Sequence, residues 1–273
     1  MPRLIPYVPF VSNRPVSYVR QQATDDPVER VLRARHSTRR HHATAHALAR
    51  HLEPESWLDV GTGHGRLPAA AKDVLPYTAY DGTDTGDAVE GAREAGRIEE
   101  AHQGLLPDLA DRLAERYDAV SMVHHLERVP DPEAELAAAR TVLRPGGHLV
   151  IEAADPESRS ARLLGPWWPA HARAPRERLL PIGRLRHTLD ELGFTLVDVE
   201  RRAPHLPLDL TGAAVLVADR WLPRAAGPRR ACGWATAPLI VLAYALDQLL
   251  APLLTRTGYG NTYRVIARRD SGA

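Results

Sequence analysis

Cysteine, lysine and a surplus of either charge are what this chain of 273 residues lacks. It holds one cysteine, Cys232, and one lysine, Lys72. A single thiol excludes an internal disulfide framework and any zinc cage built on cysteine, and a reducing cytoplasm is the simplest setting for it. Basic and acidic residues nearly cancel, 35 against 34, so no global field exists to wrap nucleic acid or coat a membrane, and any charge logic is local. Phenylalanine is also scarce, which together with arginine in place of lysine matches the bias of a GC-rich bacterial genome and carries no chemistry. The first residues, Met1-Pro2-Arg3-Leu4-Ile5-Pro6-Tyr7, are broken by proline and lack the apolar core of a signal peptide, so export is not expected. There is no internal repeat.

What is present is organised around Ser56-Trp57-Leu58-Asp59-Val60-Gly61-Thr62-Gly63-His64-Gly65-Arg66-Leu67. An apolar run meets three glycines at alternate positions and then an Ala-rich pattern, which reads as strand, tight turn and helix (Leu67 to Val74). Glycines at 61, 63 and 65 give the turn φ values closed to most side chains and let backbone N–H groups approach a ligand. The spacing differs from the dinucleotide fingerprint, and the carboxylate of Asp59 ahead of the first glycine suits a cationic ligand end better than a pyrophosphate.

The remaining chain continues the alternation of strand and helix. Tyr77 to Tyr80 reads as a second strand, ending in Asp81-Gly82-Thr83-Asp84 about twenty residues past the glycines, where a nucleotide site needs a carboxylate for ribose hydroxyls. Asp84 is the first choice and Asp81 the runner-up. A third strand is expected within Ile98 to Leu106, with Asp108 capping a helix from Leu109 to Arg116. Tyr117 to Val123 reads as the fourth strand. The run His124-His125-Leu126-Glu127-Arg128-Val129-Pro130-Asp131-Pro132 leaves its C-terminal end, the edge at which open α/β sheets bind ligands. A helix from Glu133 stops at Arg144-Pro145-Gly146-Gly147, a strand follows over His148 to Glu152, and two more are expected at Thr195 to Glu200 and Asn261 to Ala267. Residues 1–24 read as an extended arm, and a helix runs from about Asp26 to His51. On it His42 and His46 stand four apart and are taken as solvated or substrate-facing, with no metal expected.

These motifs resemble those of the class I S-adenosylmethionine (SAM)-dependent methyltransferases, in particular the small-molecule, type 11/12 or ubiquinone-biosynthesis-like branch. The likeness rests on Asp59-x-Gly61-x-Gly63-x-Gly65, on Gly82-Thr83-Asp84, on Leu126-Glu127-Arg128-Val129-Pro130-Asp131-Pro132 and on Leu143-Arg144-Pro145-Gly146-Gly147-His148-Leu149, and covers about residues 50–200 and 261–268. It implies an α/β, Rossmann-like doubly wound sheet of seven strands in the order 3-2-1-4-5-7-6, strand 7 antiparallel, with helical lid insertions at 153–187 and 201–260. Residues 1–52 would be an arm and helix covering the pocket, and 53–273 the SAM-binding domain. The cofactor implied is S-adenosyl-L-methionine, with S-adenosyl-L-homocysteine as product. Its contacts by resemblance are Asp59, Gly61, Thr62, Gly63, Gly65, Thr83, Asp84, Gly104, Leu105 and Val123. Leu105 stands where the family places an acidic or polar residue against the adenine. Arg128 replaces a histidine of the family and, always protonated, cannot act as a base near neutral pH. If the acceptor must lose a proton, His124, His125 and His171 are the candidates, in that order.

The two insertions bear on the acceptor. Seven arginines (159, 162, 173, 176, 178, 184, 186) share residues 155–187 with Trp167, Trp168 and His171, and six more lie in 201–230. That composition suits an acidic small molecule with an aromatic or apolar body; methylation on oxygen or carbon, and a place in secondary or quinone-type metabolism, are what the resemblance implies. No base-holding Asn/Asp-Pro-Pro-aromatic run is present, so nucleic acid is not expected as substrate. Ala235 to Leu254 is almost wholly apolar but holds Asp247 and Gln248, and is expected to be a buried lid helix, with peripheral membrane contact as the other reading. A SAM-binding protein of the same fold that does not methylate is the alternative function.

Overall fold

The computed structural model describes residues 27–173, 178–201, 207–221, 228–254 and 260–271. The arm expected over residues 1–24, and Arg176, Arg202 and Arg224 of the lid arginines, lie outside them. The chain divides into two compact units, Met1–His36 and Ser37–Ala273, and the second holds the sheet.

Among the described residues there are seven strands: β1 (Ser56–Val60), β2 (Ala79–Asp84), β3 (Ala101–Gln103), β4 (Tyr117–Val123), β5 (Leu143–Ala154), β6 (Phe194–Glu200) and β7 (Thr262–Arg269). Their order is β3-β2-β1-β4-β5-β7-β6. The first five pair in parallel, and β7 runs antiparallel to both β5 and β6, as the motifs imply. Parallel strands need crossover helices, and these cover both faces. Hence β1 and β4 are buried almost throughout instead of alternating. On one face Leu58, Val60, Val120, Met122 and Ile151 pack with Leu136 and Ala139 of α5 (Pro132–Val142) and with Leu185 and Leu189 of α8 (Ile182–Glu191). On the other, Trp57, Ala119, Val150 and Ile266 meet Ala45 and Leu48 of α1 (Pro27–Ala49) and Leu67 and Ala71 of α2 (Arg66–Ala71).

Three boundaries differ from the sequence expectation. Strand β2 starts at Ala79 and runs through Asp84, because Tyr77 is left 98% exposed while residues 80–83 are buried between neighbours. The expected helix from Leu109 to Arg116 shrinks to α4 (Leu106–Leu109), so Asp108 lies in its first turn and Leu105 takes the cap position. The Arg144-to-Gly147 turn is drawn into β5 as an irregularity of register against β4. A Cβ at Gly147 would stand 2.9 Å from the Arg144 carbonyl oxygen and 3.0 Å from that of Asp118, so only glycine fits there.

Beyond β5 lie α6 (Arg159–Leu164), a 3-10 turn (Gly165–Trp167), α7 (Pro169–Arg173) and α8; between β6 and β7 lie α9 (Asp209–Trp221) and α10 (Pro228–Leu254), and α3 (Ala88–Glu94) lies between β2 and β3. The two insertions meet at Asp209. Its Oδ1 accepts from Trp168 Nε1 at 3.2 Å and from Asn261 Nδ2 at 2.9 Å. Asp247, fully buried, accepts from the Leu210 and Thr211 amides and from the Thr211 hydroxyl, so a carboxylate on α10 caps the N-terminus of α9. Gln248 donates to the Pro207 carbonyl. The polar pair thus faces inward, and α10 is not the buried helix expected: Leu239, Val241, Leu242, Leu246, Leu249 and Leu253 are all exposed.

Candidate functional site

The site builds from the ends of β1, β2 and β4, which finish at Val60, Asp84 and Val123 on one edge of the sheet. After β1 the chain turns through Gly61, Gly63 and Gly65, with φ of 73°, 53° and 66°. Such left-handed values cost a side-chain-bearing residue about 1–2 kcal/mol each. Each glycine also meets different surroundings. A Cβ on Gly61 would lie 2.4 Å from His125 Nδ1, one on Gly65 would crowd Ala92 and Arg97 at 3.0 and 3.1 Å, and one on Gly63 would find only Asp84 Oδ2, at 4.0 Å.

The amides of this turn are largely engaged within the protein. Gly61 and Thr62 both donate to the Thr83 carbonyl at 2.8 and 3.0 Å, Gly65 donates to the Thr62 carbonyl, and Gly63 donates to Asp84 Oδ2 at 3.0 Å. The turn is therefore sewn to β2, and it offers a ligand acceptors and bare Cα surfaces more than the N–H donors the glycine pattern suggests. A cationic group suits that rim better than an anion.

Asp84 bridges two amides, taking Gly63 on one oxygen and Gly86 on the other at 3.0 Å, with lone pairs left on both. Asp81 is otherwise employed. Its buried carboxylate accepts from Tyr117 Oη at 2.8 Å and from the Glu100 amide at 3.0 Å, and lies 3.7 Å from Arg116. Burial pushes the Asp81 carboxyl up, but hydrogen bonds from His102, Tyr117 and Glu100 outweigh it and hold it below its ordinary value. Asp81, Glu100 and His102 stand close enough together to share a metal ion, yet Arg116 already faces both acids. A surface cavity of about 410 Å³ opens beside this cluster, between Arg93, Arg112 and Arg116, and includes no residue of the glycine turn.

Asp59 is 4% exposed and accepts from Ser121 Oγ at 2.6 Å, while Trp57 Nε1 donates to the same hydroxyl at 2.9 Å. Burial pushes the Asp59 carboxyl up to about 6, against hydrogen bonds from Ser121 and Thr62 and the nearby His125, which pull it down. Gly104 has φ of 147° and donates its amide to the Asp84 carbonyl at 3.0 Å, so Gly104 and Leu105 sit at the end of β3 beside Asp84. Thr83 is buried and takes part through its carbonyl; Val123 is partly buried and packs in the α1-side core.

His124 follows directly, in the left-handed region at φ 50°, uncommon for residues other than glycine. Its amide donates to the Glu152 carbonyl and its own carbonyl accepts from Arg128 Nε. The ring joins Nδ1 to Glu127 Oε1 at 3.2 Å and Nε2 to Arg40 Nη1 at 3.2 Å. Since arginine can only donate, Nε2 accepts and Nδ1–H donates to Glu127. Burial pushes the Glu127 carboxyl up, but His124 and the Ala154 amide more than offset this and keep it ionised. His125 Nε2 lies 3.2 Å from Glu135 Oε2 on α5, and its Nδ1 lies against Gly61. His171 is not brought to this group: its Nδ1 donates to the Gly165 carbonyl at 2.9 Å, and its ring meets Trp168 edge-on at 5.1 Å.

Sequence reasoning missed what stands behind His124. Arg40 on α1 lies 3.8 Å from Glu152 Oε2, and the fully buried Glu152 also accepts from Thr44 Oγ1 at 2.5 Å and from Arg264 Nε at 2.8 Å. Arg264 in turn reaches Glu200 at 2.7 Å. Burial alone would raise the Glu152 carboxyl, but Arg264 and Arg40 hold it low. The one visible signal was an acidic residue inside the apolar run of β5. Among the lid arginines, Arg184 pairs with Glu133 and Arg201 with Asp155 and Glu157, and His42 pairs with Asp73.

A family model described as a methyltransferase domain matches residues 32–199. Ubiquinone biosynthesis O-methyltransferase from Pseudomonas savastanoi pv. phaseolicola is 33% identical over 97 residues, 34% of this chain and 41% of that protein. The enzyme of the same name from Acinetobacter baylyi is 28% identical over 165 residues, covering 52% of this chain and 64% of the relative. The matched part thus spans less than two thirds of these relatives. Among solved structures, a SAM-dependent methyltransferase from Thermotoga maritima superposes with a TM-score of 0.53 at 19% identity, over 89% of this chain and 96% of that one. The [4+2]-cyclase SpnF gives 0.52 at 19% identity, over 80% and 76%.

Proposed function

The chain belongs to the class I SAM-dependent methyltransferases, with S-adenosyl-L-methionine as cofactor, and from that premise we propose that it methylates an acidic hydroxyl or acidic carbon of a small aromatic or apolar metabolite. The observation that carries the proposal is His124, held in a left-handed conformation at the edge of β4 between the Glu127 carboxylate and the Arg40 guanidinium.

The residues present fit the cofactor. A Cβ at Gly63 would enter the space in front of Asp84, which the glycine leaves open, and Asp84 keeps lone pairs for two ribose hydroxyls. Asp59 and the acceptor-lined turn suit the amino end, and Leu105 and Val123 supply apolar surface at the ends of β3 and β4. When bound, the cofactor supplies a methyl group already activated by its positive sulfur. What remains for the protein is alignment and, for an acidic acceptor, removal of a proton.

His124 is built for the second task. Glu127 fixes the tautomer that leaves Nε2 unprotonated and stabilises the imidazolium formed once Nε2 takes the acceptor's proton. Arg40, which occupies Nε2 beforehand, turns to the resulting oxyanion. His125 serves as a positioning residue, held by Glu135 beneath Gly61. His171, among Trp168 and the lid helices, contributes surface for the acceptor body, and the insertions at 153–187 and 201–260 act as the lid. The ubiquinone-pathway names of the relatives support an oxygen acceptor.

The test uses methyl-labelled SAM, with an extract of the host as the source of acceptor. Label is expected in the organic-soluble fraction, and none in nucleic acid. His124→Gln is expected to lower turnover about 10²-fold or more while leaving SAM affinity by calorimetry unchanged. Undiminished turnover would assign catalysis to alignment alone. Because the fold also carries a cyclase, SAM binding with no label in any fraction would favour a non-methylating catalyst.

A further inference from the structure

We propose that the outer face of α10 seats the protein on the interface of an anionic lipid bilayer. Leu239, Leu242, Leu246, Leu249 and Leu253 recur at alternating steps of three and four and so form one stripe; with Val241 they are between 40% and 72% exposed. Scattered exposed leucines are ordinary, but a continuous apolar stripe on one helix is the mark of an interaction face. The polar groups of this stretch are withdrawn from it. Asp247 is turned in to cap α9 and Gln248 to bond Pro207, so the stripe carries no charge from residue 238 to 254.

Two features choose lipid over a second helix. A paired-helix seam of this spacing is flanked by charged positions that fix partner and register, whereas the flanks here are Ala243, Ala245, Leu250 and Pro252. In sequence the charge on either side of the stripe is one-sided: Arg229 and Arg230 open α10, Arg224 precedes them, Arg256 follows the helix, and between residues 220 and 260 Asp247 is the one acid. An apolar helix whose flanking sequence carries arginine and no acid has the composition of one that lies in the headgroup region of an anionic membrane. Among the described residues no helix is long and apolar enough to cross one. The contact is therefore with the surface, and it stands independently of whether the bound SAM is used for methyl transfer.

The test is vesicle flotation of the full chain, comparing phosphatidylcholine alone with equal parts phosphatidylcholine and phosphatidylglycerol. The chain is expected to float with the mixed vesicles and far less with the neutral ones. Leu242→Asp with Leu249→Asp is expected to lower the bound fraction about tenfold, with circular dichroism and SAM affinity unchanged as proof of folding. Arg229→Glu with Arg230→Glu should erase the preference for the anionic vesicles. Failure of the wild type to float, or equal flotation of the leucine variant, overturns the proposal. A concentration-dependent dimer that the leucine variant abolishes, without flotation, assigns the face to a second copy instead. SAM binding measured alongside keeps any of these results separate from the catalytic proposal.

Discussion

Three glycines with the same backbone sign offer a graded test of the proposed cofactor floor. Gly96, Gly63 and Gly61 have φ of 66°, 53° and 73°, but an added Cβ meets nothing within 4 Å at Gly96, only Asp84 Oδ2 at 4.0 Å at Gly63, and His125 Nδ1 at 2.4 Å at Gly61. Alanine at Gly96 pays the left-handed penalty of about 1–2 kcal/mol, reduced by the stiffer unfolded chain, so a loss of about 1 kcal/mol is expected. Gly63→Ala should lose the same amount. Gly61→Ala must also displace a ring held by Glu135, and with about 1–3 kcal/mol for overpacking its loss is expected near 2–4 kcal/mol. Urea unfolding reads these differences, and calorimetry with SAM reads the second axis. Gly96→Ala should bind SAM as the wild type does, whereas Gly63→Ala should weaken binding at least tenfold, because its methyl enters the space before Asp84. If Gly63→Ala bound SAM normally while losing only its expected stability, the glycine turn would not be the floor of the cofactor site.

Two more expectations follow from buried carboxylates. Asp59, with a folded pKa of about 6 above its ordinary 3.8, keeps a proton in the native state that the unfolded chain has released, so its contribution to stability falls as pH rises through that window. A cationic ligand end beside it favours the ionised form; SAM affinity should therefore tighten as pH rises through about 6 and weaken about tenfold per unit below it, and a flat calorimetric profile across that range would remove Asp59 from the cofactor contacts. Replacing Asp247 by Ala strips the N-terminus of α9 of its cap at a cost of about 2–4 kcal/mol. Hydrogen exchange should show loss of protection at Leu210 and Thr211 with β4 and β5 unchanged, and loss across the sheet as well would mean that the insertions are part of its folding unit.

The sheet was legible because parallel strands buried on both faces write themselves as short apolar runs, and because the turns between them need glycine or a terminal carboxylate at set places. Asp59, Asp84 and the three glycines could be named for that reason. Of the two carboxylates on β2, Asp84 meets the turn at the Gly63 amide, whereas Asp81 is held by Tyr117 and the Glu100 amide. Other features were not readable. Its place in the apolar run of β5 sets Glu152 apart, but nothing local names what pairs with it, because its partners, Thr44, Arg40 and Arg264, come from opposite ends of the sequence. The exposure of α10 was hidden for the converse reason: an apolar helix looks the same whether protein or another phase covers it. Asp247 reads in the sequence as an argument against a bilayer position, whereas in the fold it satisfies amides of a neighbour 36 and 37 residues away.

The Glu152 network also sets an order of events as the chain is made. Its carboxylate, wholly removed from water, owes its charge largely to Arg264, which is synthesised 112 residues later. At about 5–20 residues per second that interval is about 6–22 s. Until β7 arrives, closing α1 and β4 over β5 would strand an acid whose remaining cation, Arg40, is itself shared with His124, and an uncompensated buried charge of this kind costs about 3–5 kcal/mol. The His124 amide bonds the Glu152 carbonyl, main chain to main chain, and does not itself depend on the carboxylate. The glycine turn draws its partners from β2 and can close early, whereas the charge network behind His124 is complete only when β7, one of the last strands, inserts between β5 and β6.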